Sequence, residues 1–380
     1  METPIVIEHR HALIYMLCEA AELEHAIACQ YLFAGFSLKR TMEEGLDERQ
    51  LRAVAKWHQM LSGVAVQEMM HLAQVNNLLI SIGAAPRVGR PNLPARGRHY
   101  PPQVQFALLP FGERALRHFL FLERPENIHL KDAEGFEALE EAEPILSEED
   151  IVPRPQDFST VGHLYHSIEE GFRRLTERHG EAWLFVGPRH AQATAKIFRW
   201  PELVAVHDLA TARQGIEMIV EQGEGPRGHW RDAHYGRFLE ILGEYLTFKR
   251  ENPAFEPARP VIPCNVRRPV DTEPSTLVSE KLTAHVLDAF NVAYEVMLQC
   301  LARFFGKGNE TEAQHRGLAD LAVELMIYVL KPLGELVTTM PVGAEHPGKT
   351  AGPSFELFFA SGYLLPHHRS AFVLLHERLM

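Results

Sequence analysis

Apolar residues recur at helical spacing from the first turn of this chain onward, and no alternating run is long enough to define a sheet. The pattern predicts a first helix over about 8–39 and a second over about 47–82, the latter stopped by Gly83 and Pro86. Residues 86–112 carry six prolines and read as a long crossing connection. A short helix at about 112–122 follows, then an acidic stretch, 132–150, read as a solvated insertion. A third core helix is expected over about 157–179, a fourth over about 201–222 and a further one over about 231–249. The Pro-rich stretch 251–275 marks a boundary between a helical bundle, 1–250, and a C-terminal helical unit, 276–380. That unit should hold two long helices, about 276–305 and 311–338, then a Gly/Pro loop and two short terminal helices. The expected class is all-α, a four-helix bundle with one long crossover and an added C-terminal unit.

Polar residues break this pattern at informative places. In the first helix, 3-4 spacing picks out Leu13, Leu17, Ala20, Glu24, Ile27, Tyr31 and Ala34, in which Glu24 is the one charged member. In the second it picks out Val54, Trp57, Leu61, Val64, Glu68, His71, Val75, Leu78 and Ile82, with Glu68 and His71 in mid-seam. Seam residues face a partner helix, and a lone carboxylate there is costly unless paired or coordinated. Residues i and i+3 share a helix face, so Glu68 and His71 can offer an oxygen and an imidazole nitrogen to one metal ion. A Glu-x-x-His element with a Glu from a neighbouring helix is how bundle proteins build carboxylate-bridged di-iron or di-manganese sites. Tyr31, one heptad after Glu24, is placed to lie beside the cluster. The competing reading is a buried Glu–His pair that sets helix register.

The second half should supply matching ligands, and several candidates compete. In the third helix Val161, Tyr165, Ile168, Phe172 and Leu175 form the apolar stripe, and Glu169, Glu170, His163 and His166 are the polar candidates, with Glu170 preferred. The fourth helix offers Glu217, Glu221 and Glu224 on one face near its C-terminal end. In the next, His234 heads an apolar stripe of Phe238, Ile241, Tyr245 and Phe248. Each of these residues also fits an ordinary solvated face or a core histidine. A mixed Glu/His set suits iron or manganese equally.

Composition narrows the classes. A formal charge of −12 leaves no basic excess for nucleic acid or an anionic membrane. The four cysteines are scattered without a CxxC pair, which argues against a disulfide framework or a thiolate zinc site. No secretory leader pattern and no apolar run of about 20 residues stand in the chain, so a cytoplasmic protein is expected. No GxGxxG stands after a strand pattern, and there is no GxSxG elbow.

At these residues the chain resembles the ferritin-like family that includes a region of the iminophenyl-pyruvate dimer synthases, large enzymes of bisindole pigment and indolocarbazole pathways. The resemblance runs through AAELEHAIACQYLFA, VAVQEMMHLAQVNNLLISIGAAPRVGRPNLP, VGHLYHSIEEGF, EMIVEQGEG with HYGRFLEI, and LKPLGELVTTMPVGAEHPGKTAGPSFEL. It implies a ferritin-like bundle in which Glu24, Glu68 and His71 match the family's metal positions, with Glu221 and His234 matching in the second half. At His163 the family's pattern has an acidic residue, so the third-helix ligand stays open.

Two functions follow as expectations. One is an oxidoreductase with a non-haem centre of two iron or manganese ions, using O2 on a small organic, amino-acid-derived substrate, with Tyr31 tuning or relaying protons to the site. The other is a non-catalytic metal- or ligand-binding helical protein. Two Pro-rich linkers and an extra helical unit do not suit a cage-forming iron store. The apolar C-terminal helices allow a homodimer.

Overall fold

A computed structural model describes residues 5–96, 104–126, 160–225, 230–267 and 276–358, together with 128, 130–132 and 158. The helices are α1 (Arg10–Ser37), α2 (Glu48–Ser81), α3 (Glu113–Leu122), α4 (Val161–His179), the short α5 (Glu181–Leu184) and α6 (Ala195–Phe198), α7 (Leu209–Gly223), α8 (His234–Glu251), α9 (Lys281–Phe305), α10 (Glu312–Leu325) and α11 (Lys331–Val337). Two-residue ladders pair β1 (Ala95–Arg96) antiparallel to β2 (Gln105–Phe106), and β3 (Val261–Ile262) parallel to β4 (Thr350–Ala351). Apart from its first residue, the acidic stretch 132–150 falls in 133–157, outside the described residues but for 158 beyond it. The expected terminal helices lie mostly beyond residue 358, also outside them.

Helix boundaries follow the caps. Asp47 caps α2 by accepting from Gln50 N at 2.8 Å, and Gln50 returns the bond to the Asp47 backbone. The third core helix begins at Val161, later than expected, because Thr160 accepts from His163 N. The fourth begins at Leu209 rather than near 201, because Asp208 accepts from Thr211 N at 2.8 Å. The stretch before it is not helical, and α2 side chains satisfy its backbone. Gln74 accepts from Val204 N at 2.9 Å, and Asn77 donates to the Val204 and Ala193 carbonyls. Gln74, Asn76 and Asn77 are fully buried polar residues on a helix, and their role is to hold loops. The last long helix is continuous in direction but contains a π turn, Met326–Leu330, directly before Pro332. A proline without an N–H relieves its clash with the preceding turn through such a widened turn.

The bundle contains two interrupted members. α3 packs on α8 and α4 on α7, while α1 packs on α2 and α4. So α3 followed by α4 forms one strut, and α7 followed by α8 forms another running back. The 10 and 19 residues of the first pair, and the 15 and 18 of the second, bring each strut close to the 28 and 34 residues of α1 and α2. Both breaks fall at the level of Glu24 and Glu68. Below them Trp57 is fully buried, stacked on Phe111 and held by its indole N–H on Glu244 at 2.7 Å.

α1 is buried on nearly all sides after Ala20, because α9 and the C-terminal turns cover the face that α2 and α4 leave open. A helix apolar all round is a core helix. One hydrophobic core therefore runs from α1 through Phe290, Tyr294 and Phe304 of α9.

Candidate metal centre

Each predicted seam residue of α1 and α2 is buried, which carries Glu24, Glu68 and His71 into the interior at 2% exposure each. α1 and α2 pack along their length, so the three meet: His71 Nδ1 lies 3.2 Å from Glu68 Oε2 and 3.4 Å from Glu24 Oε2. The breaks in the other struts supply the rest. Glu123 caps the C-terminal end of α3, and His234 is the first residue of α8, at 4% and 0% exposure. His234 Nδ1 lies 2.8 Å from Glu68 Oε1 and 3.6 Å from Glu123 Oε1. Two groups of convergent ligand atoms result among the described residues, Glu24/Glu68/His71 and Glu68/Glu123/His234. Glu68 belongs to both.

The arrangement fits a pair of cations. Glu68 Oε1 and His234 Nδ1 approach closely but neither is in hydrogen-bonding geometry with any group, so both are buried and unsatisfied. Such atoms are costly in a protein interior unless something else binds them. With metal–ligand bonds of about 2 Å, two ligands of one ion lie roughly 3 Å apart, which is the spacing seen between these pairs. The donors, three carboxylates and two imidazoles, suit iron or manganese. Both histidines are also braced from behind. His71 Nε2 meets Gln222 Oε1 at 3.0 Å, and His234 Nε2 meets Gln67 Oε1 at 3.3 Å. An N–H donated to each glutamine leaves both Nδ1 atoms free to ligate.

Two tyrosines close the site. Tyr31 donates its hydroxyl to Glu123 Oε1 at 2.5 Å, and Tyr165 of α4 donates to Glu24 Oε1. Tyr31 is fully buried between Phe119 and Phe238, whose rings lie edge-on or tilted at 4.7 and 4.9 Å.

Electrostatics describe the metal-free site. Burial and the Glu68 charge push the Glu24 carboxyl up to about 8. Burial works the same way on Glu68, but His234 and His71 outweigh it and hold that carboxyl well below its usual range. Burial opposes charging of His234, yet Glu68 and Glu123 raise it to about 9, and His71 is raised by Glu68 and Glu24. The sign follows from proton binding: the folded metal-free protein holds protons on His234 and Glu24 that the unfolded chain, with 6.5 and 4.5, gives up earlier. We expect the melting temperature of chelated protein to fall as pH rises from 4.5 to about 9, through Glu24 from 4.5 and through His234 from 6.5. A second loss is expected on the acid side, below 4.5, as Glu68 protonates. Bound metal would replace those protons, so the alkaline fall should flatten in metal-loaded protein. Equal slopes with and without chelator would contradict this.

The structure brings together Glu24, Glu68, His71 and His234, with Tyr31 beside them, and leaves out two expected ligands. Glu170 lies on the outer side of α4, where the Arg173 and Arg174 guanidiniums hold its carboxyl at about 2. Glu221 is exposed on α7, as is Glu217. Their neighbour Gln222 is the residue that turns inward. The buried face of α7 is Ala212, Gly215, Ile216 and Ile219, and the next position at that spacing is 222. Glu224 accepts from Gly162 N at 2.8 Å and Glu169 is bound by Arg213. His166 is exposed on Glu126, and His163 is buried at the start of α4 outside both groups.

Glu123 is the residue that sequence reasoning missed. Leu116, Phe119 and Glu123 stand at 3-4 spacing, the first two fully buried, which is the same signal that identified Glu24. The signal is short, because 112–122 reads as a separate short helix and only the packed fold makes it half of a strut.

Gln222→Leu should keep the helix and remove the acceptor behind His71. Such outer partners are typically worth about 10- to 100-fold in metal affinity. Competition against a fluorescent chelator would measure this, and an unchanged affinity would remove Gln222 from the site.

A family profile described as Ferritin-like matches residues 17–243. The chain is 28% identical to dichlorochromopyrrolate synthase of Lentzea aerocolonigenes, over 92% of its own length and 36% of that enzyme. It is 26% identical to the 2-imino-3-(indol-3-yl)propanoate dimerase of Chromobacterium violaceum, over 92% and 34%. It thus spans about a third of the length of these curated relatives. Its fold is similar to that of a ferritin like protein from Caulobacter vibrioides, with a TM-score of 0.50 at 17% identity, covering 87% of this chain and 98% of that one.

Proposed function

Since this chain belongs to the ferritin-like family, we propose that it is a non-haem metal-dependent oxidoreductase acting on a small organic, amino-acid-derived substrate. The observation that carries this reading is Glu68, whose two carboxylate oxygens each face a different buried histidine. Glu24 and His71 would hold one ion, Glu123 and His234 the other, and Glu68 both. Iron or manganese held by these residues would supply electron transfer, with O2 as the oxidant. Iron and manganese are both compatible with the donor set.

The chain's own residues do the remaining work. Gln222 and Gln67 orient the two imidazoles. The Tyr31 hydroxyl holds a proton at Glu123 Oε1, and the Tyr165 hydroxyl holds one at Glu24 Oε1. Phe119 and Phe238 shield Tyr31 from water and keep its proton local. One relative is named as a synthase of a small organic acid and the other as a dimerase of 2-imino-3-(indol-3-yl)propanoate, an imino acid bearing an indole ring, and that supports the substrate class. The chain spans about a third of the length of these relatives, so joining two substrates is not carried over.

Oxygen uptake by the reduced, iron-loaded protein tests the reading. Uptake that disappears in Glu68→Ala supports it. A protein that binds metal but leaves O2 untouched is a non-catalytic metal-binding member of the family.

A further inference from the structure

On the opposite face of the α1/α2 pair from the metal centre lies a cavity of about 180 Å³, roofed by α9 and the π turn. His25 and Leu72, which help line it, are chain neighbours of Glu24 and His71, so the helix pair forms a wall between the two sites. Apolar and aromatic side chains make most of the lining, among them Phe198, Trp200, Phe290 and Phe355. Val66 and Ile327, 42% and 50% exposed, stand with Lys331 at its solvent side.

The inner end is polar and unusual. Tyr294 of α9 places its hydroxyl on His25 Nε2, 3.4 Å from Cys29 Sγ and 3.3 Å from Arg90 Nη2. Arg90 is 6% exposed, and its other hydrogen bonds go to the Phe355 and Pro91 carbonyls at 2.8 Å. No described carboxylate pairs with it. His25 is 4% exposed, and its Nδ1 faces the Val88 backbone without completing a hydrogen bond.

We infer that this cavity is a second binding site, for an uncharged aromatic molecule of one or two fused rings. Size is the first reason: an apolar cavity of about 150 Å³ accepts benzene, and this one is somewhat larger. The aromatic lining offers ring edges and faces to a flat guest. Charge is the second. The buried Arg90 guanidinium behind Tyr294, with no carboxylate partner among the described residues, repels a cation, whereas Lys331 at the mouth is paired with Glu335 at 3.4 Å and adds little. An anion gains little, because the Arg90 Nη1 and Nη2 hydrogen bonds already go to two carbonyls and the tyrosine. What the inner end still offers is the Cys29 thiol, held by Tyr294 at 3.4 Å, a weak partner for at most a single ring N–H or hydroxyl. The inference does not rest on the metal centre's being redox active.

Methionine methyl groups report on it directly. Met69, Met297 and Met326 line the cavity, out of 11 methionines in the chain. In full-length protein labelled with 13C at methionine methyls, indole should shift these three signals saturably, through ring currents, and leave those of Met16 and Met60 in place. Ala73→Phe, which fills the cavity from α2, should weaken indole at least tenfold, while bound metal stays as in the parent. Tryptamine, the same ring bearing a cation, should bind at least tenfold more weakly than indole. The inference is overturned if indole moves none of the three methyls, or if it binds Ala73→Phe as tightly as the parent. It is overturned as to ligand class if tryptamine matches indole. If Ala73→Phe does not fold, the methyl shifts in the parent decide.

Discussion

Glu68→Ala should empty the metal centre as a whole, taking bound iron or manganese from about two ions per chain to near zero. Every other candidate ligand serves one of the two groups, whereas Glu68 reaches 3.2 Å from His71 with one oxygen and 2.8 Å from His234 with the other. Removing it leaves each position two protein ligands and no shared one. The helix itself should survive, since alanine is the best helix former and the surrounding seam is apolar. The histidines need not stay buried and charged without their carboxylate. Burial favours the neutral form of each, and in this variant only Glu24 at His71 and Glu123 at His234 still oppose it. The alkaline loss of stability expected of the chelated parent should therefore shrink in the variant. Elemental mass spectrometry after gel filtration gives the metal count, and circular dichroism checks the fold. A folded Glu68→Ala protein with the parent's metal content would make the polar cluster a register device and end the enzyme reading.

Glu123→Ala should remove about half of the metal, whereas Glu221→Ala and Glu170→Ala should remove none. Glu123 belongs to the Glu68/Glu123/His234 group, 3.6 Å from His234, and is not a member of the Glu24/Glu68/His71 group. Its loss leaves one group intact and strips the other to Glu68 and His234. It also takes away the acceptor of the Tyr31 hydroxyl, so Glu123→Asp, which keeps the charge on a shorter arm, should restore part of the metal. Glu221 is exposed to solvent and Glu170 is held by two arginines, so neither reaches an ion. The three variants together separate a site built at the strut breaks from one built along unbroken helices. Full metal in Glu123→Ala beside a loss in Glu221→Ala would restore the arrangement that the family resemblance implied and reject the one in this fold.

The contrast between those two glutamates shows where sequence reasoning stopped. Glu24, Glu68 and His71 were legible because each interrupts a long apolar seam, and burying a charge on such a seam needs a compensating partner whatever the fold around it. Tyr31 was legible by its heptad distance from Glu24. Glu221 was misjudged by a single residue: one step along a helix turns a side chain by about 100°, from solvent onto His71. Reading the α7 stripe through Ile219 reaches Gln222, but the resemblance drew attention to the charged neighbour. Glu170 was chosen on a face that its own arginines neutralise.

By itself, then, the order of residues determined the helical class, the long α1/α2 pair and the half of the centre that this pair carries. Those depend on periodicity and local caps, which act over a few residues. The tertiary structure alone decided that α3 with α4, and α7 with α8, each make one interrupted strut, because that pairing joins segments separated by some 40 residues of chain between Glu123 and Val161 and about ten between Gly223 and His234. It likewise decided that α9 would close a cavity behind α1. Breaks in two struts meet only when the helices are packed, and it is there that Glu123 and His234 arrive beside Glu68.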